Sequence, residues 1–122
     1  MELRDSRILL VGGAGLIGSH ILDQLVEGEA GEIVIFDNFV RGSRANIEHH
    51  LADPRVRVID ADIRDRDALA EAMQGVDGVF LLAALWLLQC AEDPSSGLDV
   101  NVAGNFNVIE ACRAANVRRL VF

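Results

Sequence analysis

A chain of 122 residues, 51% of them apolar, is the size of one domain and carries enough nonpolar side chain to bury a core. Nineteen acidic against eleven basic residues give a formal charge of -8, which disfavours nucleic acid and anionic membrane as main partners because those surfaces repel an acidic protein. There is no tyrosine and every basic residue is arginine, so chemistry that needs a Tyr or Lys side chain cannot run on this stretch alone.

Ile8 to Val11 is a continuous apolar run, the pattern of a strand covered on both faces of a parallel sheet. Gly12-Gly13-Ala14-Gly15-Leu16-Ile17-Gly18 follows directly. Glycines at 12, 15 and 18 let the chain turn tightly from strand to helix and bring its backbone close to a diphosphate, and the new helix N-terminus offers free N–H groups to an anion. Leu16, Ile17, Ile21, Leu22, Leu25 and Val26 recur at helical spacing up to Gly28 and Gly31.

Glu32 to Phe36 reads as the second strand, ending on Asp37-Asn38, and the polar turn Arg41-Gly42-Ser43-Arg44 leads into a short helix expected over 45–51. Arg55-Val56-Arg57-Val58-Ile59 alternates polar and apolar, which suits the edge of a two-sided sheet and not its middle. Asp65 to Met73 reads as the next helix, and Gly78 to Ala84 as a fourth strand buried on both faces.

The stretch 85–96 matches no single pattern, and Asp93-Pro94-Ser95-Ser96-Gly97 breaks it. Leu98, Val102, Phe106, Ile109 and Cys112 then form one stripe of a long helix, and Arg119 to Phe122 begins a fifth strand. The longest apolar run, Val79 to Leu88, is about half of the roughly 20 residues a membrane helix needs, and Met1 to Asp5 is no signal peptide, so a cytoplasmic protein is expected.

Alternating strands and helices joined by right-handed crossovers predict a doubly wound α/β sheet of the Rossmann type, with strand order 3-2-1-4-5. Ligands of such sheets bind beyond the carboxyl ends of the strands, where the strand order reverses. That gathers the Gly12–Gly18 turn, Asp37 after strand two, Asp62 and Ile63 after strand three, and Leu82, Ala83 and Ala84 after strand four. Asp37 lies where an acid accepts hydrogen bonds from an adenosine ribose, which favours NAD over NADP, although Arg41 and Arg44 are near enough to hold a 2′-phosphate. A turn or cap role is the plain alternative for Asp37, and a helix N-cap for Asp62. Cys90 and Cys112 read as small, buried thiols and His20, His49 and His50 as solvent-facing side chains, so no metal site is expected.

Five segments together resemble the N-terminal part of the NAD-dependent epimerase/dehydratase family, extended short-chain dehydrogenase/reductases that include the UDP-glucose 4-epimerases. They are Gly12 to His20, Asp37-Asn38, Asp62-Ile63-Arg64-Asp65, Leu82-Ala83-Ala84 and Asp99 to Asn105. The resemblance implies that Asp37, Asn38, Arg41 and Gly42 line the adenosine side and that Asp62 and Ile63 contact adenine. Leu82 to Trp86 would run beside the diphosphate and nicotinamide ribose, and Asn101 would face the cofactor. A helix cap or a solvent-facing site is the alternative for Asn101.

Val11 and Leu81 depart from the family, which commonly has Thr and His there, as does Asn105, where Thr is common. The family's Ser/Thr and Tyr-x-x-x-Lys group, which works on a sugar hydroxyl, and its nucleotide-sugar domain lie beyond these residues. Residues 1–122 are therefore expected to be the NAD-binding portion with no catalytic residue of their own, and the apolar Leu120-Val121-Phe122 ending favours a truncated chain over a self-sufficient module. A non-catalytic NAD sensor or scaffold is the alternative, and a homodimer through the helix over 98–115 is implied.

Overall fold

In the computed structural model, which describes residues 2–122, β1 (Arg7–Val11) lies at the centre of a five-stranded parallel sheet. It pairs on one side with β2 (Glu32–Asp37), which pairs with β3 (Val56–Asp60), and on the other with β4 (Gly78–Leu81), which pairs with β5 (Arg119–Val121). The order β3-β2-β1-β4-β5 is the one the crossovers predict, with the alternating Arg57 strand at the edge.

Successive side chains of a strand face opposite sides of the sheet, so each central strand feeds two cores. Leu9, Val11, Val34, Phe36, Val79 and Leu81 pack on one face under α2 (Arg66–Ala72) and α5 (Asn105–Ala114). Ile8, Leu10, Ile33 and Ile35 pack on the other, against Leu22 and Leu25 of α1 (Leu16–Glu27) and Ile47. Both faces are covered, so these strands read as unbroken apolar runs. Val11 and Leu81, two of the three departures from the family pattern, are core residues of the first face.

The helix expected over 45–51 is replaced by two tight 3₁₀ turns, Arg44–Asn46 and Glu48–His50. Only Ile47 of this segment enters the core, where it is fully buried, and one anchor does not require a continuous helix.

The undecided stretch contains α3 (Leu87–Glu92) and α4 (Pro94–Leu98), divided at Asp93. The Asp93 carboxylate caps α4 by accepting from the Ser96 backbone N–H at 3.2 Å and the Ser96 hydroxyl at 2.6 Å. A π-helical turn, Asp99–Gly104, carries α4 into α5. No helix among the described residues is long and apolar enough to cross a membrane.

Candidate functional site

A cleft of about 630 Å³ opens at the carboxyl ends of β1 to β4. Its floor is the glycine turn. Gly12 takes the left-handed conformation (φ +85°), and a Cβ there would stand 2.8 Å from the Ala83 nitrogen; on Gly18 it would stand 2.6 Å from the Gly12 oxygen. Both glycines are thus demanded by the fold. Gly15 is different: a Cβ there would meet nothing nearer than the Gly12 oxygen at 3.5 Å. The protein itself leaves room for a side chain at Gly15, and the residue borders the cleft.

Gly15 is also the N-cap of α1, with no side-chain cap and no acid in the first turn. Leu16 and Ile17 expose most of their surface beside it. The positive end of the helix therefore faces the cleft with no side-chain cap and no acid in its first turn.

Asp37 stands at the end of β2 and is nearly buried. Its Oδ2 accepts from the Ala14 backbone N–H at 2.9 Å and its Oδ1 from the Phe39 N–H at 2.8 Å. The turn role weighed for this residue is therefore present, and the same carboxylate also borders the cleft, with lone pairs left for further donors. Gly42 fits tightly beside it: a Cβ there would lie 2.8 Å from Asp37 Oδ2.

Asp62 leads the third wall. Arg64 donates to its Oδ1 through the backbone N–H and Nε, both at 2.9 Å, and to its Oδ2 at 2.8 Å through the guanidinium, while the Asn38 amide adds a bond at 3.0 Å. This set, with Arg64 foremost, holds the Asp62 carboxyl at about 2. The cap of α2 is Asp65, which accepts from the Asp67 and Ala68 backbone N–H groups, so the N-cap alternative for Asp62 fails. Ile63 borders both the cleft and the core, and Gly104 lets α5 approach it: a Cβ on Gly104 would stand 2.7 Å from Ile63 Cδ1.

Leu82, Ala83 and Ala84 continue past the end of β4 along the cleft. The Arg41 guanidinium stacks on the Trp86 ring at 3.9 Å, joining the loop after β2 to the loop after β4. Arg44 lies over Phe39 at 5.1 Å.

Asn101 sits elsewhere than expected, outside the residues that line the cleft. Its Oδ1 accepts from the Leu85 N–H at 2.7 Å and its Nδ2 donates to the Leu85 oxygen at 2.8 Å, so it grips one residue of the loop after β4 from behind. The neighbouring Asn105 donates to the Asn101 backbone oxygen at 2.9 Å and leaves its own Oδ1 buried and unpaired.

Gln89, Glu92, Asp93 and Ser96 line the cleft as well, and sequence reasoning did not single them out. The Asp93-Pro94-Ser95-Ser96 string was a legible N-cap signal for Asp93 and Ser96 at the start of α4, whereas no local signal marked Gln89 and Glu92 in α3. His20 and His49 face solvent as expected, and His50 does not. His50 is only 18% exposed, and it and His49 both reach Asp23.

The assembled cleft offers an open anion cradle, carboxylates at two of its walls and apolar surfaces between them. Residues 8–122 match the profile of the NAD dependent epimerase/dehydratase family. The chain belongs to that family. It is 36% identical over 118 residues to a putative UDP-glucose 4-epimerase of Methanocaldococcus jannaschii, covering 94% of this chain and 36% of that protein. It is 34% identical over 116 residues to UDP-glucuronic acid decarboxylase 3 of Arabidopsis thaliana, covering 94% of this chain and 32% of the relative.

Among solved structures it superposes on the dTDP-glucose 4,6-dehydratase DesIV of Streptomyces venezuelae, solved with NAD bound, with TM-score 0.88 and 36% identity over 93% of this chain and 38% of that one. UDP-glucose 4-epimerase from Brucella ovis in complex with NAD gives TM-score 0.82 at 28% identity, over 96% of this chain and 35% of that one. The chain thus spans about a third of the length of the family members it matches.

Proposed function

We propose that the cleft binds NAD and that residues 1–122 are the cofactor-holding portion of an enzyme acting on nucleotide sugars. The observation that carries this reading is Gly15: a side chain there would meet no protein atom nearer than the Gly12 oxygen at 3.5 Å, and it lies at the uncapped start of α1. A diphosphate fits there, accepting from the backbone N–H groups of Leu16 and Ile17 beside Gly12, Gly15 and Gly18.

Asp37 then has lone pairs for the ribose hydroxyls while it holds Ala14 and Phe39. Asp62, ionised at neutral pH, accepts from the exocyclic amine of adenine, and Ile63 covers the face of the base. Asn38, Arg41 and Gly42 close the adenosine side, and Leu82, Ala83 and Ala84 let the cofactor pass close to the backbone. Asn101 acts on the site through Leu85. NAD held here would supply reversible hydride chemistry at a sugar carbon. These residues supply the binding and orientation, and the acid–base group for the sugar hydroxyl comes from another part of the enzyme. The relatives cited are an epimerase, a decarboxylase and a dehydratase of sugar nucleotides, which favours an enzyme over a sensor.

A second copy of the protein fits the outward stripe of the 98–115 helix, where Leu98, Val102, Phe106 and Ile109 are 45% to 60% exposed. Phe106→Glu is expected to turn a dimer into a monomer in sedimentation.

Trp86, the one tryptophan, reports on cofactor binding through its stack with Arg41. Titration with NAD is expected to change its fluorescence saturably, with matching heat in calorimetry. Absence of both signals overturns the reading.

A further inference from the structure

Three imidazoles converge on a single carboxylate of α1. His49 and His50 place their Nε2 atoms 2.8 and 2.7 Å from the same oxygen, Asp23 Oδ1, and His20 Nδ1 stands 3.6 Å from Oδ2. The donor atoms of Asp23, His49 and His50 all lie within 4.8 Å of one another. None of the four residues lines the cofactor cleft, so the cluster makes no contact with the site proposed above.

The fold builds this cluster deliberately from two elements. His20 and Asp23, three apart in α1, share one helical face. His49 and His50 are sequence neighbours, whose side chains normally diverge. In the tight turn Glu48–His50 their rings instead lie 4.2 Å apart, tilted 45°, and reach one oxygen together. The turn is fixed from below by buried Ile47, and just upstream the Asn46 amide donates to the Ala14 oxygen at 2.9 Å.

The donor chemistry selects a class of ligand. Neutral imidazole nitrogens with one carboxylate oxygen make a borderline N/O set, the preference of Zn²⁺ and Co²⁺ and not of Mg²⁺ or Ca²⁺. Tetrahedral zinc bonds of about 2.1 Å place ligand atoms about 3.4 Å apart. The Asp23–imidazole separations need to open by roughly 0.7 Å to reach that spacing, a shift within a rotamer adjustment of partly exposed side chains. A metal ion would take the place of the protons that the two imidazoles now share with Asp23 Oδ1.

We propose that Asp23, His49 and His50, with His20 as fourth donor, form a zinc-class divalent metal site that clamps α1 to the turns after β2. The ion would tie the middle of α1 to the segment that follows Arg41 and Gly42 and so stiffen the adenosine wall from outside the cleft.

The test is titration of the untagged, metal-stripped protein with Co²⁺, followed by its visible ligand-field absorption, and with Zn²⁺, followed by thermal melting. One equivalent of Co²⁺ is expected to give the intense bands of a four-coordinate site, and Zn²⁺ to raise the melting temperature. His50→Gln and His49→Gln should each weaken binding at least ~10-fold and abolish the melting shift. His49 is exposed, so its variant folds even if the His50 variant does not, and retained NAD binding through Trp86 fluorescence verifies this. No saturable Co²⁺ spectrum, or a spectrum and melting shift that persist in His49→Gln, overturns the site.

Discussion

The backbone N–H of Ala14 donates to Asp37 Oδ2 at 2.9 Å, so the residue at the end of β2 holds the glycine turn that follows β1. With Phe39 on its other oxygen, the carboxylate satisfies two backbone donors in a nearly buried position. It therefore has a structural duty before any ligand arrives, and Asp37→Ala separates the two roles. Loss of two backbone bonds to a charged acceptor is expected to cost about 2 to 4 kcal/mol in urea unfolding. In the folded fraction, NAD affinity is expected to fall several-fold in calorimetry. Unchanged affinity would leave Asp37 with the loop alone.

The glycines of the turn divide into two kinds, and alanine distinguishes them. Gly12→Ala forces a side chain into a left-handed conformation and against Ala83, and is expected to cost at least ~1 to 3 kcal/mol of stability. Gly15→Ala meets open space at ordinary backbone angles and should leave the melting temperature close to that of the parent. Its methyl occupies the volume assigned to the diphosphate, so NAD affinity is expected to drop at least ~10-fold, roughly 1.4 kcal/mol. Parent-like binding by Gly15→Ala removes the diphosphate from this place.

The sheet and the glycine turn were legible because each follows from local chemistry. Two-sided burial writes unbroken apolar runs such as Ile8 to Val11, and the turn needs glycine at Gly12 and Gly18 for steric reasons. The long helix was legible only in part. Leu98, Val102, Phe106 and Ile109 keep α-helical spacing, yet they point outward, and only Cys112 of that stripe is buried. The inward face runs instead through Gly97, Gly104, Val108 and Cys112, with the π turn Asp99–Gly104 lying between α4 and α5. Glycines at close helix contacts carry no hydrophobic signal, and an apolar count cannot find them. Asn101 was placed beside the cofactor by the family resemblance alone, and its grip on Leu85 is a tertiary contact that no local spacing encodes. The histidine cluster was invisible because His20 and the His49-His50 pair meet only through tertiary packing.

Asp62 gives the site a defined acid response. Its folded carboxyl sits at about 2, against an ordinary 3.8, because Arg64 and Asn38 stabilise the charged form. A depressed folded value contributes stability above the ordinary value, and that contribution is lost as pH falls from there through the folded one. Stability is therefore expected to decline between about pH 4 and pH 2, and Asp62→Asn to flatten that part of the profile in urea unfolding. Between pH 5 and 8 Asp62 stays ionised, so the binding that it provides should not change across that range. A profile in Asp62→Asn identical to the parent's would show that the Arg64 pair does not couple to folding.

Asn101 is expected to act on cofactor binding from behind the loop, as a positioning residue for Leu85. Its side chain donates to and accepts from the same residue, at 2.8 and 2.7 Å, which fixes the peptide groups between Ala84 and Trp86. Asn101→Ala removes both bonds, leaving the Leu85 N–H unpaired and its C=O with only the weak Cys90 thiol donor at 3.6 Å, at a cost of about 1 to 3 kcal/mol. Asn101→Asp restores the acceptor for the N–H but sets a carboxylate against the Leu85 oxygen, so it should recover only part of that loss. Hydrogen exchange reads the difference directly. The Leu85 amide is expected to lose protection in Asn101→Ala and to regain it in Asn101→Asp, with NAD affinity following the same order. Equal protection of Leu85 in the parent and Asn101→Ala would show that the loop is held by α3 and the sheet without the asparagine.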